Sequence, residues 1–167
     1  MTLELTLQQI YDSPISAAIR ENTNAFPIIE TFHVIAITAV LGTIMIVDLR
    51  LLGFTSHRRG ANRLIAELLP YTWVAFALAV VSGGLLFVSN APAYAANVEF
   101  QLKLVAIAAA GINMLIFHGT AYRRIADWDT DTPPPTSVKV SGVISLILWV
   151  TVIFLGRWIG FTLDVLF

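Results

Sequence analysis

Residues 26–53 form an almost unbroken apolar run that nevertheless carries Glu30, His33 and Asp48. A hydrocarbon core of about 30 Å takes roughly 20 apolar residues to cross as a helix, so this stretch has the length of a membrane span. An ionisable side chain at the centre of a span costs about 2.5–3.5 kcal/mol on the insertion scale, and less near the ends. Three in one helix therefore call for a structural or chemical reason. Glu30 and Asp48 lie about five whole helical turns apart, so an ideal helix points both the same way, with His33 about 60° to one side. Val34, Ile37, Leu41 and Ile44 fall between the ends of this stripe. The stripe is expected to face protein or water rather than lipid.

Composition agrees with a membrane protein. Of 167 residues, 57% are hydrophobic and 13% are charged, where soluble domains run near about 25% charged; the mean hydropathy is +0.78. The net charge of −1 gives no case for nucleic-acid binding. There is no cysteine, which excludes disulfides, iron–sulfur clusters, thiolate metal sites and covalently attached haem. Haem b held by histidine stays open. The first 25 residues contain Glu4, Asp12, Arg20 and Glu21. They lack the basic start and apolar run of a cleavable signal peptide.

Four apolar stretches, at about 27–50, 70–90, 100–121 and 138–161, are each long enough to cross a bilayer. The expected fold is all-α, an antiparallel four-helix transmembrane bundle spanning 26–167, preceded by an amphipathic interfacial segment over 1–25. Arg50, Arg58, Arg59, Arg63, Arg123, Arg124 and Lys139 flank the first and third connections, against Arg20, Lys103 and Arg157 on the other side. This imbalance puts the first and third connections in the cytoplasm and both termini on the outer side. Trp73, Trp128, Trp158 and Tyr94 fall where aromatic interface anchors are expected.

The interfacial segment reads as two short helices. Leu3, Leu7, Ile10 and Tyr11 share a face of the first. Ser13-Pro14 is an N-cap followed by proline at the first helical position, and Ile15, Ala18 and Ile19 line one side of the second. The stretch 127–137 reads as a solvated loop whose three prolines stop the third span, with Thr136 or Ser137 available to cap the fourth. Arg50, turned away from the acidic stripe, is expected to snorkel to the interface. The small residues of Ser82-Gly83-Gly84, Ala106–Gly111, Ser141, Ser145, Gly156 and Gly160 suit close helix packing; the alternative is room for a flat cofactor.

Depth sorts the polar residues into two layers. Glu30 and His33, with Glu99, Lys103 and Arg157, fall near the outer ends of their helices. Glu30 is the natural partner of Lys103 or Arg157, since a buried charge is tolerated only when paired. Asp48, Arg50, His57 and His118 form an inner layer with Asn113 deeper. The outer group is either an ion-pair network or a pocket for a quinol head group, a proton path or a metal. Within it Glu30 and His33 are the candidate catalytic pair, because a histidine beside a carboxylate exchanges protons near neutral pH.

Haem makes a sharper geometric demand. At 1.5 Å per residue, His33 and His118 differ in depth by about 20 Å, so the two cannot ligate one iron from opposite faces. His118 with His57, or either His118 or His33 alone, remains a haem-ligand candidate. A continuous proton path is poorly supplied, since the stripe on helix one has no titratable group between His33 and Asp48 and would need Asn113 or water.

Phe26-Pro27, Glu30 and His33, followed by Gly42 and Asp48-Leu49-Arg50-Leu51-Leu52-Gly53, resemble a family of small bacterial four-span inner-membrane proteins of unknown function. Ser82-Gly83, Leu86-Phe87, Asn97, Phe100, Lys103-Leu104, Gly111, Asn113, Phe117-His118 and Gly156-Arg157 continue the likeness. It implies a shared fold and carries no assigned site. A weaker likeness, by helix number and histidines, is to four-helix b-type cytochromes and to the membrane domains of copper-resistance proteins. Three functions follow as expectations. The first is an electron-transport component handling quinone, with an outer polar pocket and haem b as a variant cofactor. The second is a non-catalytic subunit of a larger membrane complex or homo-oligomer. The third is a small transporter or metal-handling protein.

Overall fold

A computed structural model describes residues 2–54, 60–129 and 132–163. Among them there is no strand; the chain runs α1 (Leu3–Tyr11), α2 (Pro14–Glu21), α3 (Ala25–Leu52), α4 (Ala61–Ser89), α5 (Ala91–Ala96), α6 (Val98–Gly119), a 3-10 helix (Tyr122–Asp127) and α7 (Thr136–Thr162). Helices α3, α4, α6 and α7 are each long and apolar enough to cross a membrane. The protein is thus a multi-pass helical membrane protein. Its exposed Phe, Ile, Leu and Val side chains are spread along all four long helices, as surfaces that meet lipid must be.

Sequence chemistry sets the helix ends. Ser13 accepts from the Ser16 backbone N–H at 3.3 Å, with Pro14 opening α2. Asn97 caps α6 through Phe100 N–H at 2.8 Å. Gly53 ends α3 at φ 88°, while its N–H reaches Arg50 O and the Phe54 N–H reaches Leu49 O. These two bonds satisfy carbonyls that a helix end otherwise leaves open, and the left-handed backbone favours glycine. Two boundaries depart from expectation. Helix α4 starts at Ala61 rather than near 70, continuing through Pro70. Its first turns alternate buried Ala61 and Ile65 with an exposed Arg63–Glu67 ion pair of 2.7 Å, a polar face that hydropathy alone rejects. Pro135, not Thr136 or Ser137, stands at the N-cap of α7.

The bundle is closed on three sides. Helix α3 packs on α4 and on α7, and α7 packs on α6, whereas α4 and α6 scarcely meet. Helices α3 and α7 meet backbone to backbone at Gly142 of α7, where a Cβ would come within 3.3 Å of Asp48 O and 3.4 Å of Leu51 Cβ. Glycine lets the two backbones approach there. Of the glycines read as packing residues, Gly83 faces the His33 ring and Gly156 the Lys103 stem, whereas at Gly84, Gly111 and Gly160 a Cβ would meet nothing within 4 Å.

One end of the bundle is capped by the short helices. Helix α1 lies on α5 and α4, and α2 on α4 and α3. Arg20 holds this cap together: it donates to Tyr11 O at 2.8 Å, reaches Ser16 Oγ and Ser89 O, and sits 3.8 Å above the Tyr11 ring. The other, basic end is locked by the α6–α7 connection. Trp128, 2% exposed, packs with Leu51, Ala61, Ile65, Phe117 and Val138. Asp129 accepts from Asn62 N–H at 2.7 Å through its side chain, and its carbonyl accepts from Arg50 at 2.8 Å. Two expectations fail here for one reason. Arg50 is 1% exposed rather than snorkelling, and Trp128 is a core residue rather than an interface anchor. The connection folds back into the bundle end instead of being solvated throughout.

Candidate functional site

The acidic stripe of α3 divides into two environments. At the capped end Glu30 is exposed and Val34 is 50% exposed, so this half of the stripe faces outward. The difference from Asp48 arises because α7 crosses α3 at the Asp48–Leu52 level. His33 turns toward α4. Ser82 Oγ donates to Leu78 O at 2.6 Å, so His33 Nδ1, 3.0 Å from that oxygen, is the donor to it. Gly83 makes room for the ring; a Cβ there would lie 3.0 Å from His33 Cε1.

Lys103 lies 5.0 Å from the Phe100 ring centroid, its stem against Gly156. Arg157 is exposed and stacks 5.1 Å from Phe161. Glu99 accepts from Thr162, which also accepts from Asn97, tying α6 to α7. Among the described residues the ion pair within 4 Å is Arg63–Glu67, so Glu30 pairs with neither Lys103 nor Arg157. Glu30 instead acts on Tyr94 of α5, whose phenol is held above its usual range by burial and, less, by that carboxylate.

At the basic end the unpaired α4–α6 side opens as a cleft of about 240 Å³. Helices α3 and α7 form its floor; α4 and α6 form its walls. Asp48, Asn113, His118, Ser141 and Ser145 contribute polar groups, while Val40, Phe76, Ile107 and Trp149 line the part nearer mid-bundle. The inner-layer residues Asp48, Asn113 and His118 thus share one cavity, which Glu30 and His33 do not line. His57 lies outside the described residues.

Hydrogen bonding in the cleft is uneven. Asn113 donates to Ser141 O at 3.0 Å and accepts from Ser141 Oγ at 3.2 Å. Thr72 bonds with Thr43 at 2.8 Å or with Leu68 O at 3.0 Å. His118 Nδ1 donates to Met114 O at 2.9 Å, since a carbonyl only accepts; Nε2 is left without a hydrogen-bond partner among the described residues. Asp48 is 4% exposed, and its Oδ2 has no hydrogen-bond partner. A buried polar atom left unsatisfied costs about 1–3 kcal/mol, more when charged. Such a group in a cavity marks a place for a ligand or ordered water.

Sequence reading missed this cleft, although Asp48, Asn113, Ser141 and Ser145 were visible as polar intrusions in apolar helices. The signal that separates them from packing residues is helix order around the bundle, which no periodicity encodes. Among the described residues no three His, Asp or Glu side chains gather as a metal site requires, and His33 and His118 belong to different sites.

Fold and cleft together define a small four-span helical membrane protein with a side-opening cavity. The chain belongs to the family of unknown function DUF6644, whose model matches residues 25–162. No curated protein and no solved structure matches it, so the likeness to cytochromes and copper-resistance domains gains no support.

Proposed function

We propose that this protein binds a lipid-dissolved ligand of the quinone class in the α4–α6 cleft, as a redox component of the membrane. The observation that carries the reading is a mostly apolar cleft, open between α4 and α6, in which a few polar groups, Asp48, Asn113, His118, Ser141 and Ser145, lie in the half nearer the basic end; such a lining suits an aromatic head group on an isoprenoid tail. A cavity of about 240 Å³ holds a substituted ring, while the open α4–α6 side lets the tail lie in lipid. Small-molecule sites of this kind are mostly apolar with a few placed polar groups.

By the distribution of Arg and Lys, the basic end faces the cytoplasm and both termini lie outside; the resemblance to small bacterial four-span proteins puts the protein in a bacterial inner membrane. On this reading the cleft draws ligand from the cytoplasmic leaflet. Glu30, His33 and Lys103, with Glu99 and Arg157 nearby, remain candidates for proton exchange at the opposite face. Haem on His118 is a variant of the same proposal.

Purified protein in nanodiscs, titrated with a short-chain benzoquinone, tests the proposal. Trp73 and Trp149 line the cleft, so saturable quenching that is lost in the doubly Phe-substituted protein is the expected result. Quenching that only tracks the ligand's partition into lipid would refute it. A visible spectrum, oxidised and reduced, tests the haem variant. The second reading, a non-catalytic subunit, rests on the same unpaired α4–α6 side, which a helix of another chain could close; stoichiometric co-purification of that chain would favour it.

A further inference from the structure

We infer that the Ser145 hydroxyl anchors the head group of the cleft's ligand, holding a ring oxygen whether that oxygen is a carbonyl or a hydroxyl. This rests on the cleft being a ligand site and names the side chain that reads the ligand. A serine or threonine hydroxyl inside a helix commonly bonds back to the carbonyl one turn earlier. In the long helices Thr38, Thr72, Ser82 and Thr151 do so at 2.6–3.0 Å. Ser141 instead donates to Asn113 Oδ1 at 3.2 Å. Ser145 does neither. Among the described residues its hydroxyl makes no hydrogen bond, and its Oγ keeps accessible surface. The carbonyl one turn back from it, Ser141 O, accepts from Asn113 Nδ2 at 3.0 Å.

Helix geometry says where the free hydroxyl points. Val138, Gly142, Trp149 and Val152 lie seven and three residues before Ser145 and four and seven after it, on the same face of α7. Val138, Gly142 and Val152 are buried, and Trp149 lines the cleft together with Ser145. The hydroxyl therefore opens into the cleft rather than toward lipid. It carries one donor hydrogen and two acceptor lone pairs. It can donate to the carbonyl of a quinone and, after rotating, accept from the O–H of a hydroquinone. A site that takes up one redox form and releases the other needs such a two-way group. The inference concerns binding alone; it assigns no electron transfer to Ser145.

The test compares the unsubstituted full chain with Ser145→Ala in nanodiscs. The ligands are an alkyl benzoquinone, its hydroquinone under anaerobic conditions, and the alkylbenzene of the same chain length. The quinone is read by tryptophan quenching and the other two by displacing it. The unsubstituted protein is expected to hold both oxygen-bearing ligands about tenfold tighter than the alkylbenzene, the worth of one good hydrogen bond. Ser145→Ala is expected to remove that advantage, with alkylbenzene affinity and thermal midpoint unchanged. Thr151→Ala, whose hydroxyl serves its own helix, is expected to change no affinity. Unchanged quinone and hydroquinone affinity in Ser145→Ala, or an equal loss for all three ligands, would overturn the inference while leaving the cleft a binding site. A loss confined to one redox form would overturn the two-way role. Absence of saturable binding by the unsubstituted protein would overturn the binding reading as well.

Discussion

The two ends of α3 carry similar side chains and use them differently. At the capped end His33 bonds Ser82 across the α3–α4 contact, and Glu30 stays at the surface. At the basic end Arg50 is buried and holds the Asp129 carbonyl, while Asp48, two residues earlier, is buried with an oxygen left over. Within the Asp48–Gly53 stretch the work is divided by residue. Arg50 and Leu51 build the bundle end, Gly53 stops the helix, and Asp48 faces the cleft. An ionisable residue in a span thus has two fates, as a fastener or as a site, and the partner of each polar atom tells them apart.

The strongest way to break this contrast is to remove the fastener. Trp128→Ala empties a nearly closed site between Leu51, Ala61, Phe117 and Val138. Aromatic-to-alanine changes in cores cost about 3–5 kcal/mol. A large drop in the thermal midpoint in detergent is expected, with faster proteolysis of the α6–α7 connection. An unchanged midpoint would mean that the basic end is not locked as described.

A paired substitution sharpens the comparison at the helix crossings. Gly142→Ala drives a Cβ against the Asp48 carbonyl, backbone that cannot swing aside, and overpacking costs about 1–3 kcal/mol. Gly83→Ala meets only the His33 ring, which can rotate away. Its helix-propensity gain of about 1 kcal/mol offsets the weakened bond to Ser82. The expected order is a clear loss for Gly142→Ala and near-neutrality for Gly83→Ala in parallel unfolding curves; the reverse order would reject this account of the two crossings.

How far the sequence could reveal this is seen in particular residues. The four spans and the Ser13-Pro14 cap follow from apolar run length and capping chemistry, both local properties. The first turns of α4 were hidden because Arg63 and Glu67 lower the local hydropathy while Ala61 and Ile65 are buried by a distant loop. Arg50 and Trp128 were misread for the same reason: their partners lie in the α6–α7 connection, far along the chain. Azimuth on an ideal helix placed Glu30 with Asp48, but burial depends on which neighbour crosses at each level. Asp48 and His118 were legible as one depth layer, whereas the open α4–α6 side that makes a cavity of it was not.

Smaller effects probe what remains. Asp129 caps α4 from another connection, through Asn62 N–H. Asp129→Ala is expected to lose about 1 kcal/mol, the usual worth of an N-cap side chain, with faster amide exchange confined to the first turn of α4. Exchange spread over the whole bundle would instead tie this cap to global stability.

The smallest expected change in stability is also the most discriminating for the cleft. Gly111 lines the cavity, and a Cβ there meets nothing within 4 Å. Leucine at this position gains helix propensity of about 1 kcal/mol over glycine and projects its side chain from α6 into the cleft. Gly111→Leu is therefore expected to leave the thermal midpoint unchanged or slightly raised while abolishing quinone-dependent quenching of Trp73 and Trp149. If the cleft is filled by a helix of another chain, the same substitution instead disrupts that complex and leaves small-molecule titrations flat in both proteins. If it is merely a packing gap, the midpoint rises and nothing else changes. One variant thus separates a fastener from a site at the end of the molecule where the two lie side by side.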